Sequence, residues 1–115
     1  MAIFEVLSWV VSRGKRKEND DLMRRYSEYI KSNPDKFKEQ KSFRYFSGWF
    51  GKPSGATTRI CMFEFGSLED MEKMYDRLNK EEEFVKIDKE WGNLVEVDSY
   101  EHHIWKDKDR SIWIE

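Results

Sequence analysis

The sequence predicts an α+β fold in which helices cover one face of an antiparallel sheet. In residues 57–78, a run rich in β-branched, aromatic and sulfur-containing side chains leads through Gly66 directly into an amphipathic helix. The elements along the chain follow the order strand, helix, strand, strand, helix, helix, strand. The first two strands are apolar on both faces, so helices on one side cannot cover the whole sheet.

The composition indicates one small domain with an aromatic core. The chain has 115 residues, of which 16% are aromatic and 38% are charged, with a formal net charge of −2. This balance argues against a nucleic-acid partner and against a polybasic membrane anchor. No apolar run is long enough to span a membrane, and the first residues, MAIFEVLSWVV, lack the basic leader and cleavage site of a signal peptide. We expect a cytoplasmic protein.

The first strand is predicted over residues 3–12 from its β-branched and aromatic content. A helix follows over residues 16–32, where apolar residues recur at helical spacing, and it ends before Pro34. The apolar residues of the strand are Ile3, Leu7, Trp9 and Val11 on one face, and Phe4, Val6 and Val10 on the other.

The second strand is predicted over residues 42–50, the most aromatic part of the chain. Gly48 interrupts it and indicates either a bulge or a point where another group approaches the backbone closely. Residues 51–56 have the composition of a hairpin loop. The third strand, residues 59–65, leads to a helix that starts at Ser67, whose hydroxyl is placed to accept a backbone hydrogen bond.

A second helix and a last strand are predicted downstream. The helix spans residues 80–91, with Asn79 as its N-cap and Gly92 as a left-handed stop. The last strand spans residues 94–105, where polar and apolar residues alternate.

The chain is predicted to divide into a domain and a short tail. The domain comprises residues 1–105, and residues 106–115 form a charged tail. Its terminal Ile112-Trp113-Ile114 is expected to dock on this chain or on a partner subunit, because three exposed apolar residues favour association.

The order of the elements is that of a ferredoxin-like split βαβ protomer, with the first and third strands central in the sheet. Helices cover only one sheet face in this arrangement. Since the other face is also apolar, we expect it to pack against the same face of a second subunit in a symmetric homodimer.

Two segments carry a resemblance to a known superfamily. MFEFGSLEDMEKMYDRL and NKEEEFVKIDKEW are similar to the aromatic strand, the helix and the short second helix of the dimeric α+β barrel proteins. This superfamily includes antibiotic-biosynthesis monooxygenases, NIPSNAP-like proteins and haem-degrading monooxygenases. The resemblance covers residues 2–105 and implies a dimeric α+β barrel. The haem-degrading members hold iron with an Asn on the first strand and a His on a helix, which this chain lacks, so we expect no cofactor.

The only cysteine and the two histidines are not predicted to bind a metal ion. The apolar neighbours of Cys61 favour a buried, inert thiol. His102 and His103 point to opposite faces of the last strand, so neither gathers the three or four ligands of a metal site. Both are most simply structural. A functional histidine would be His102 with Tyr100 and Asp98, because imidazole exchanges protons near neutral pH.

Two carboxylates, Glu5 and Glu64, are predicted to lie in central strands. Each either borders a pocket, forms an ion pair with a cation such as Arg44 or Arg59, or takes up a proton in its buried setting. The ion pair is the simpler interpretation. Glu64 is the stronger candidate for catalysis, because its strand is the one expected to floor a cavity.

Large apolar side chains are predicted to line a cavity between sheet and helices, although such residues are more often plain core. A cavity of this kind accepts a flat apolar ligand. The predicted lining consists of Trp9, Phe46, Trp49, Met71, Tyr75 and Tyr100.

Two functions are compatible with these features. One is a cofactor-independent monooxygenase or isomerase acting on a hydrophobic or aromatic small molecule, with Glu64 or His102 moving a proton. The other is a non-catalytic ligand-binding or assembly protein of the same fold. The volume of the pocket distinguishes them, because a closed core excludes the enzyme.

Overall fold

The order of strands and helices agrees with the sequence prediction. A computed structural model describes residues 2–49 and 57–115. The elements in these ranges are β1 (Ile3–Val10), α1 (Arg16–Ser32), β2 (Gln40–Ser47), β3 (Thr58–Phe65), α2 (Leu68–Leu78), α3 (Glu82–Gly92) and β4 (Glu101–Lys106), followed by a 3₁₀ turn at Arg110–Ile112.

The sheet has the strand order β2-β3-β1-β4, which places the first and third strands in the centre as predicted. All neighbouring strands are antiparallel, and Glu5 lies opposite Phe63 on one side and Ile104 on the other. Because side chains alternate along a strand, these three residues share one face, which we call the inner face. The opposite face, which includes Phe4, Met62 and their cross-strand neighbours, is the outer face.

The hydrophobic core lies between the inner face and the three helices. The strands contribute side chains of alternate residues, and each helix contributes one apolar stripe. The buried apolar cluster consists of Trp9, Val11, Leu22, Met23, Tyr26, Phe37, Cys61, Phe63, Phe65, Met74, Leu78, Phe84 and Ile87.

The start of α2 confirms the predicted cap. The Oγ atom of Ser67 accepts a hydrogen bond of 3.1 Å from the backbone N–H of Asp70. This bond satisfies a donor that has no partner within the first turn. The cap fixes the point at which the chain leaves β3 and turns back over the inner face.

The predicted ends of the next helix are wrong. Asn79 is the C-cap of α2, and α3 begins only at Glu82. The backbone N–H of Asn79 bonds carbonyl oxygens of α2, so this residue belongs to the preceding helix. Gly92 is the last residue of α3 and does not adopt a left-handed conformation; among the described glycines, Gly14 is the one with a positive φ, at 78°.

The last strand is shorter than predicted. Residues 94–100 form turns and an isolated bridge between Val11 and Val95, and β4 starts at Glu101. Asp98 has a φ of 65°, which an extended strand does not allow. The Oγ atom of Ser99 accepts a hydrogen bond of 3.0 Å from the N–H of Val10, which holds this turn against β1.

The predicted bulge at Gly48 is also wrong. The register irregularity of β2 lies between Gln40 and Ser42, where the strand begins. The predicted hairpin loop at residues 51–56, and Phe50 before it, lie outside the described residues.

The C-terminal tail lies against the outer face of its own chain. The rings of Phe4 and Trp113 have centroids 5.9 Å apart. The guanidinium of Arg110 lies over the Trp113 ring, at 4.4 Å, and its Nη2 lies 2.9 Å from a carboxylate oxygen of Glu64. Asp107 accepts a second hydrogen bond from Arg110, at 2.8 Å.

None of the helices in the described part of the chain has the length and apolar character needed to cross a bilayer. The cytoplasmic location stays a prediction.

Candidate functional site

A cavity of about 300 Å³ lies between the inner face of the sheet and the helices. Its wall contains residues from β1, β3 and all three helices, together with Tyr100 just before β4. Aliphatic and sulfur-containing side chains fill the gaps between rings. The aromatic residues of the wall are Trp9, Tyr26, Phe63, Tyr75, Phe84, Trp91 and Tyr100. Its residues with carboxyl or carboxamide groups are Glu5, Asn79 and Asp88.

Glu5 is the buried carboxylate of this cavity. The residue is only 4% exposed, and its position on β1 points it to the inner face between Ile3 and Leu7. Its Oε1 atom accepts a hydrogen bond from the hydroxyl of Tyr75, and its Oε2 atom lies 2.9 Å from Nε2 of His102. Partners on both oxygens are what a buried carboxylate requires, because an unpaired one is costly in free energy.

His102 connects Glu5 to solvent. It pairs with Leu7 across the β1–β4 ladder, which places its ring on the inner face, and its side chain is 41% exposed. Its ring stacks on that of Tyr100 with centroids 6.3 Å apart. His103 pairs with Val6 and therefore points to the outer face, as the alternation predicted. Asp98, the third member of the predicted His102 group, is exposed in the preceding turn.

The tyrosines around Glu5 hold their protons firmly. Burial raises the pKa of Tyr75 well above its usual value, and the charge of Glu5 adds to this effect. Burial likewise raises the pKa of Tyr100 to about 12, with contributions from Glu5 and Asp88. Both hydroxyls are therefore hydrogen-bond donors at neutral pH. Burial also raises the pKa of Cys61, so its thiol stays protonated and inert as predicted.

Three predicted lining residues, Trp9, Tyr75 and Tyr100, do border the cavity. Met71 packs on the core beside it but is not part of its wall. Phe46 and Trp49 do not line it, and this part of the prediction is wrong. Phe46 pairs with Ile60, which places it on the outer face, 45% exposed. Trp49 follows the end of β2 and is 81% exposed.

The strand of Glu64, β3, contributes Cys61 and Phe63 to the cavity wall as predicted, but Glu64 itself does not face the cavity. It lies opposite Phe4 on β1 and therefore on the outer face. Its carboxylate binds Arg110 of the tail, at 2.9 Å. The ion pair was the simpler interpretation of this residue, although the partner is neither Arg44 nor Arg59.

Arg59 belongs to a second buried polar network. Its Nε lies 3.1 Å from Asp20, which also accepts a hydrogen bond of 2.6 Å from the hydroxyl of Tyr45. Asn19 donates to that hydroxyl, at 2.7 Å, and accepts from the indole N–H of Trp9, at 3.1 Å. This chain of bonds fixes the orientation of the Trp9 ring at the back of the cavity.

Across the ranges 2–49 and 57–115, no three side chains of His, Cys, Asp or Glu are grouped so as to hold a metal ion. The described cavity wall combines aromatic surface with a buried carboxylate, an arrangement typical of sites for apolar ligands. The residue that the sequence interpretation ranked too low is Glu5. The sequence feature that indicates its position is the spacing of Glu5, which lies two residues before Leu7 and four before Trp9. This spacing places all three side chains on the helix-covered face of the strand.

No family model matches this chain, and no curated protein matches it in sequence. Its fold does match solved structures. A NIPSNAP family protein from Agrobacterium tumefaciens is 21% identical, with a TM-score of 0.74 over 95% of each chain.

Two oxygenase-related structures are similar in fold. A point mutant of SnoaB, a cofactor-independent oxygenase from Streptomyces nogalater, is 9% identical, with a TM-score of 0.66 over 94% of each chain. A protein from Bordetella bronchiseptica assigned to the antibiotic biosynthesis monooxygenases is 10% identical, with a TM-score of 0.66 over 92% of this chain and 96% of that one. This chain therefore has the ferredoxin-like α+β fold that is seen in NIPSNAP and antibiotic biosynthesis monooxygenase-like proteins.

Proposed function

We propose that this protein binds a hydrophobic or aromatic small molecule in its cavity and moves a proton on it, as a cofactor-independent monooxygenase or isomerase does. The observation that carries this proposal is the position of Glu5. It is a buried carboxylate that borders an aromatic cavity on one side and meets the half-exposed His102 on the other. A base placed in this way can take a proton from a bound ligand and pass it toward solvent.

The proton path has three groups with separate tasks. Glu5 accepts the proton from an acidic carbon or hydroxyl of the ligand. Tyr75, which keeps its own proton because burial raises its pKa, holds Oε1 of Glu5 in place. While Glu5 is ionised, His102 donates its Nε2–H to Oε2. This bond must open before the ring can take the proton on an unprotonated nitrogen and release it to solvent, which the ring reaches. The aromatic walls orient the ligand and exclude water.

The fate of the resulting anion separates the two reaction types. In an isomerase, the proton returns to a different atom of the same ligand. In a monooxygenase, the anion transfers electrons to O₂, a CH₂ group becomes a carbonyl and water leaves. The fold shared with a cofactor-independent oxygenase supports the second type, although a fold hosts many reactions.

One observation favours a non-catalytic alternative. Both oxygens of Glu5 already have partners, so one bond must break before the carboxylate can act as a base. A ligand-binding or assembly protein would need Glu5 only as a structural group. The cavity of about 300 Å³ is at the lower end of the range of ligand sites, about 300–1,000 Å³, and both functions fit within it.

We further propose that the protein forms a homodimer through the outer face. The helices cover the inner face only, and the outer face exposes 45% of Phe46 and 54% of Trp105. Pairing with the same face of a second copy would bury both rings. The tail covers one part of this face, around Phe4, and leaves the part with Phe46 open.

The proposal can be tested with 2-tetralone, an aromatic ketone with acidic α-protons. In D₂O, the rate of deuterium uptake at its α-carbons is followed by proton NMR. Binding is recorded separately from the indole N–H signals of Trp9 and Trp91. We expect the protein to accelerate exchange about 10²-fold or more, as positioned bases do.

Substitutions identify the base. Glu5→Gln should abolish most of the acceleration, and His102→Ala should reduce it. Glu64→Gln is the matched control, because it removes a carboxylate from the outer face. Binding of tetralone without acceleration would favour the non-catalytic alternative. Equal loss in Glu5→Gln and Glu64→Gln would contradict the assignment of Glu5.

A further inference from the structure

The charges in the cavity wall all have one sign. The described residues of the wall include two carboxyl groups, Glu5 and Asp88, and none of them is Lys, Arg or His. His102 meets Glu5 from the solvent side and is not part of the wall. Asp88 is an exposed residue that borders the cavity, and partial burial of its carboxyl raises the pKa of this group. A ligand that enters as an anion would therefore be repelled by these carboxyl groups, whereas an anion formed by proton transfer to Glu5 leaves that carboxyl neutral.

The negative charge of Glu5 acts on groups around the whole cavity. Burial is the main reason why the pKa values of Tyr26, Tyr75, Tyr100 and Cys61 are raised, and the charge of Glu5 raises each of them further. These four side chains come from α1, α2, the segment before β4, and β3. These groups and Glu5 border the same cavity, so a ligand inside it lies near the carboxylate of Glu5.

The aromatic rings of the wall are a second source of negative electrostatic potential, because the face of a ring carries partial negative charge. The rings of Trp9 and Trp91 have centroids 5.2 Å apart and an interplanar angle of 90°, and those of Trp91 and Tyr100 are 5.3 Å apart at 78°. In such edge-to-face pairs the edge of one ring points at the face of its neighbour, and the three rings together border one part of the cavity. The face of an aromatic ring carries partial negative charge, which attracts cations, and boxes of rings bind quaternary ammonium groups in this way.

We propose that the cavity selects its ligand by charge and takes a compact organic cation, an amine or quaternary ammonium attached to an apolar group. This inference rests on the proposed binding function and specifies its ligand class. The rings surround the cation, and the carboxyl groups of Glu5 and Asp88 balance its charge. Neutral molecules of the same shape bind more weakly, and anions bind most weakly.

Three probes of nearly the same shape separate charge from hydrophobicity. They are phenyltrimethylammonium, tert-butylbenzene and benzenesulfonate, which are cationic, neutral and anionic. Each is titrated into the protein, and the indole N–H signals of Trp9 and Trp91 report its binding by two-dimensional NMR. We expect the cation to bind at least tenfold more tightly than the neutral probe, and the anion to bind more weakly than both.

The Asp88→Asn variant then tests the role of the carboxyl group. We expect the ratio of cation affinity to neutral affinity to fall several-fold. Asp76→Asn, an exposed position on α2 outside the cavity wall, is the matched control and should keep the ratio. An unchanged ratio in Asp88→Asn would overturn the role assigned to that residue.

The outcomes also separate this inference from the function on which it rests. If the neutral probe binds as tightly as the cation, or the anion binds best, selection for a cation is wrong and an apolar ligand site remains. If none of the probes shifts the Trp9 and Trp91 signals, both the inference and the proposed binding function are wrong.

Discussion

Oε2 of Glu5 lies 2.9 Å from Nε2 of His102, although 97 positions separate the two residues in the chain. The pairing of β1 with β4 brings them together, since Leu7 lies opposite His102 and Glu5 is two residues earlier on the same face. One group is buried and the other reaches solvent. The candidate site is therefore a product of strand register, and no short motif in the sequence marks it.

Removing the hydroxyl of Tyr75 should destabilise the protein. In Tyr75→Phe, Oε1 of Glu5 loses its donor in a buried setting. We expect the free energy of unfolding to fall by about 1–3 kcal/mol, the usual cost of an unsatisfied buried group. Urea unfolding followed by circular dichroism measures this change.

Tyr29→Phe is the matched control for that experiment. Within the described residues, the hydroxyl of Tyr29 is buried and has no hydrogen-bond partner. Its removal should leave stability unchanged or raise it slightly, because a buried polar atom without a partner is unfavourable. Equal losses in the two variants would show that the Tyr75–Glu5 bond contributes no specific stability.

The ionisation of Tyr100 should report the charge of Glu5. Its pKa is raised to about 12 by burial and by the charges of Glu5 and Asp88. Because this value exceeds the usual one of about 10, the group contributes stability below pH 10 that is lost as the pH rises through 12. In Glu5→Gln, we expect the Tyr100 step in the 295 nm titration to move to lower pH. The difference from a Tyr100→Phe variant identifies that step, and an unchanged step would exclude the influence of Glu5.

A helix and a cap whose formation depends on residues close together in the sequence were predicted well. The bounds of α1 match the prediction, and the Ser67 cap is confirmed, because apolar spacing and a capping hydroxyl act within a few residues. The segment before β4 was wrongly predicted as strand, because its conformation depends on a positive φ at Asp98 and on a contact between Ser99 and Val10. Long-range contacts of this kind override strand-like composition.

The candidate site was predicted only in part, because the prediction depends on which face of a strand each side chain occupies. Glu5 and Glu64 both lie in central strands, but a shift of one position moves a side chain to the opposite face. Trp9 borders the cavity as predicted, and the alternation that places it on the inner face moves Glu64 to the outer face. The partner of Glu5 could not be predicted, since the β1–β4 register depends on where β4 begins.

The ion pair of Asp20 with Arg59 should stabilise the protein more than the exposed ion pairs of Asp21 do. Because Arg59 is buried, the Asp20→Asn substitution leaves the charge of the Arg59 guanidinium opposite a neutral amide, which is a weaker partner than a carboxylate. We expect a loss of about 1–3 kcal/mol, as for hydrogen bonds to charged groups. Asp21→Asn is the control, because Asp21 pairs with Lys17 and Arg24 at the surface, where ion pairs contribute little.

The effect of Asp20→Asn should depend on pH. Although burial opposes it, hydrogen bonds from Arg59 and Tyr45 lower the pKa of Asp20. A lowered pKa in the folded state gives stability that is complete above the unfolded value of about 4 and is lost as the pH falls through the folded value. Thermal unfolding from pH 7 to pH 2 should therefore show the difference between wild type and variant shrinking below pH 4. A difference that stays constant would exclude the ionised pair as its source.

The outer face should hold two copies of the chain together. Phe46→Asp places a charge on this face, where burial against a second copy would be costly, and we expect it to convert a dimer into a monomer of 14.0 kDa. Val85→Asp is the matched control, because Val85 is 48% exposed on α3, compared with 45% for Phe46, and lies on the helical side of the molecule. Sedimentation velocity at micromolar concentration measures both. A wild-type monomer under these conditions would exclude the dimer, and dissociation by both variants would show that the outer face is not its specific interface.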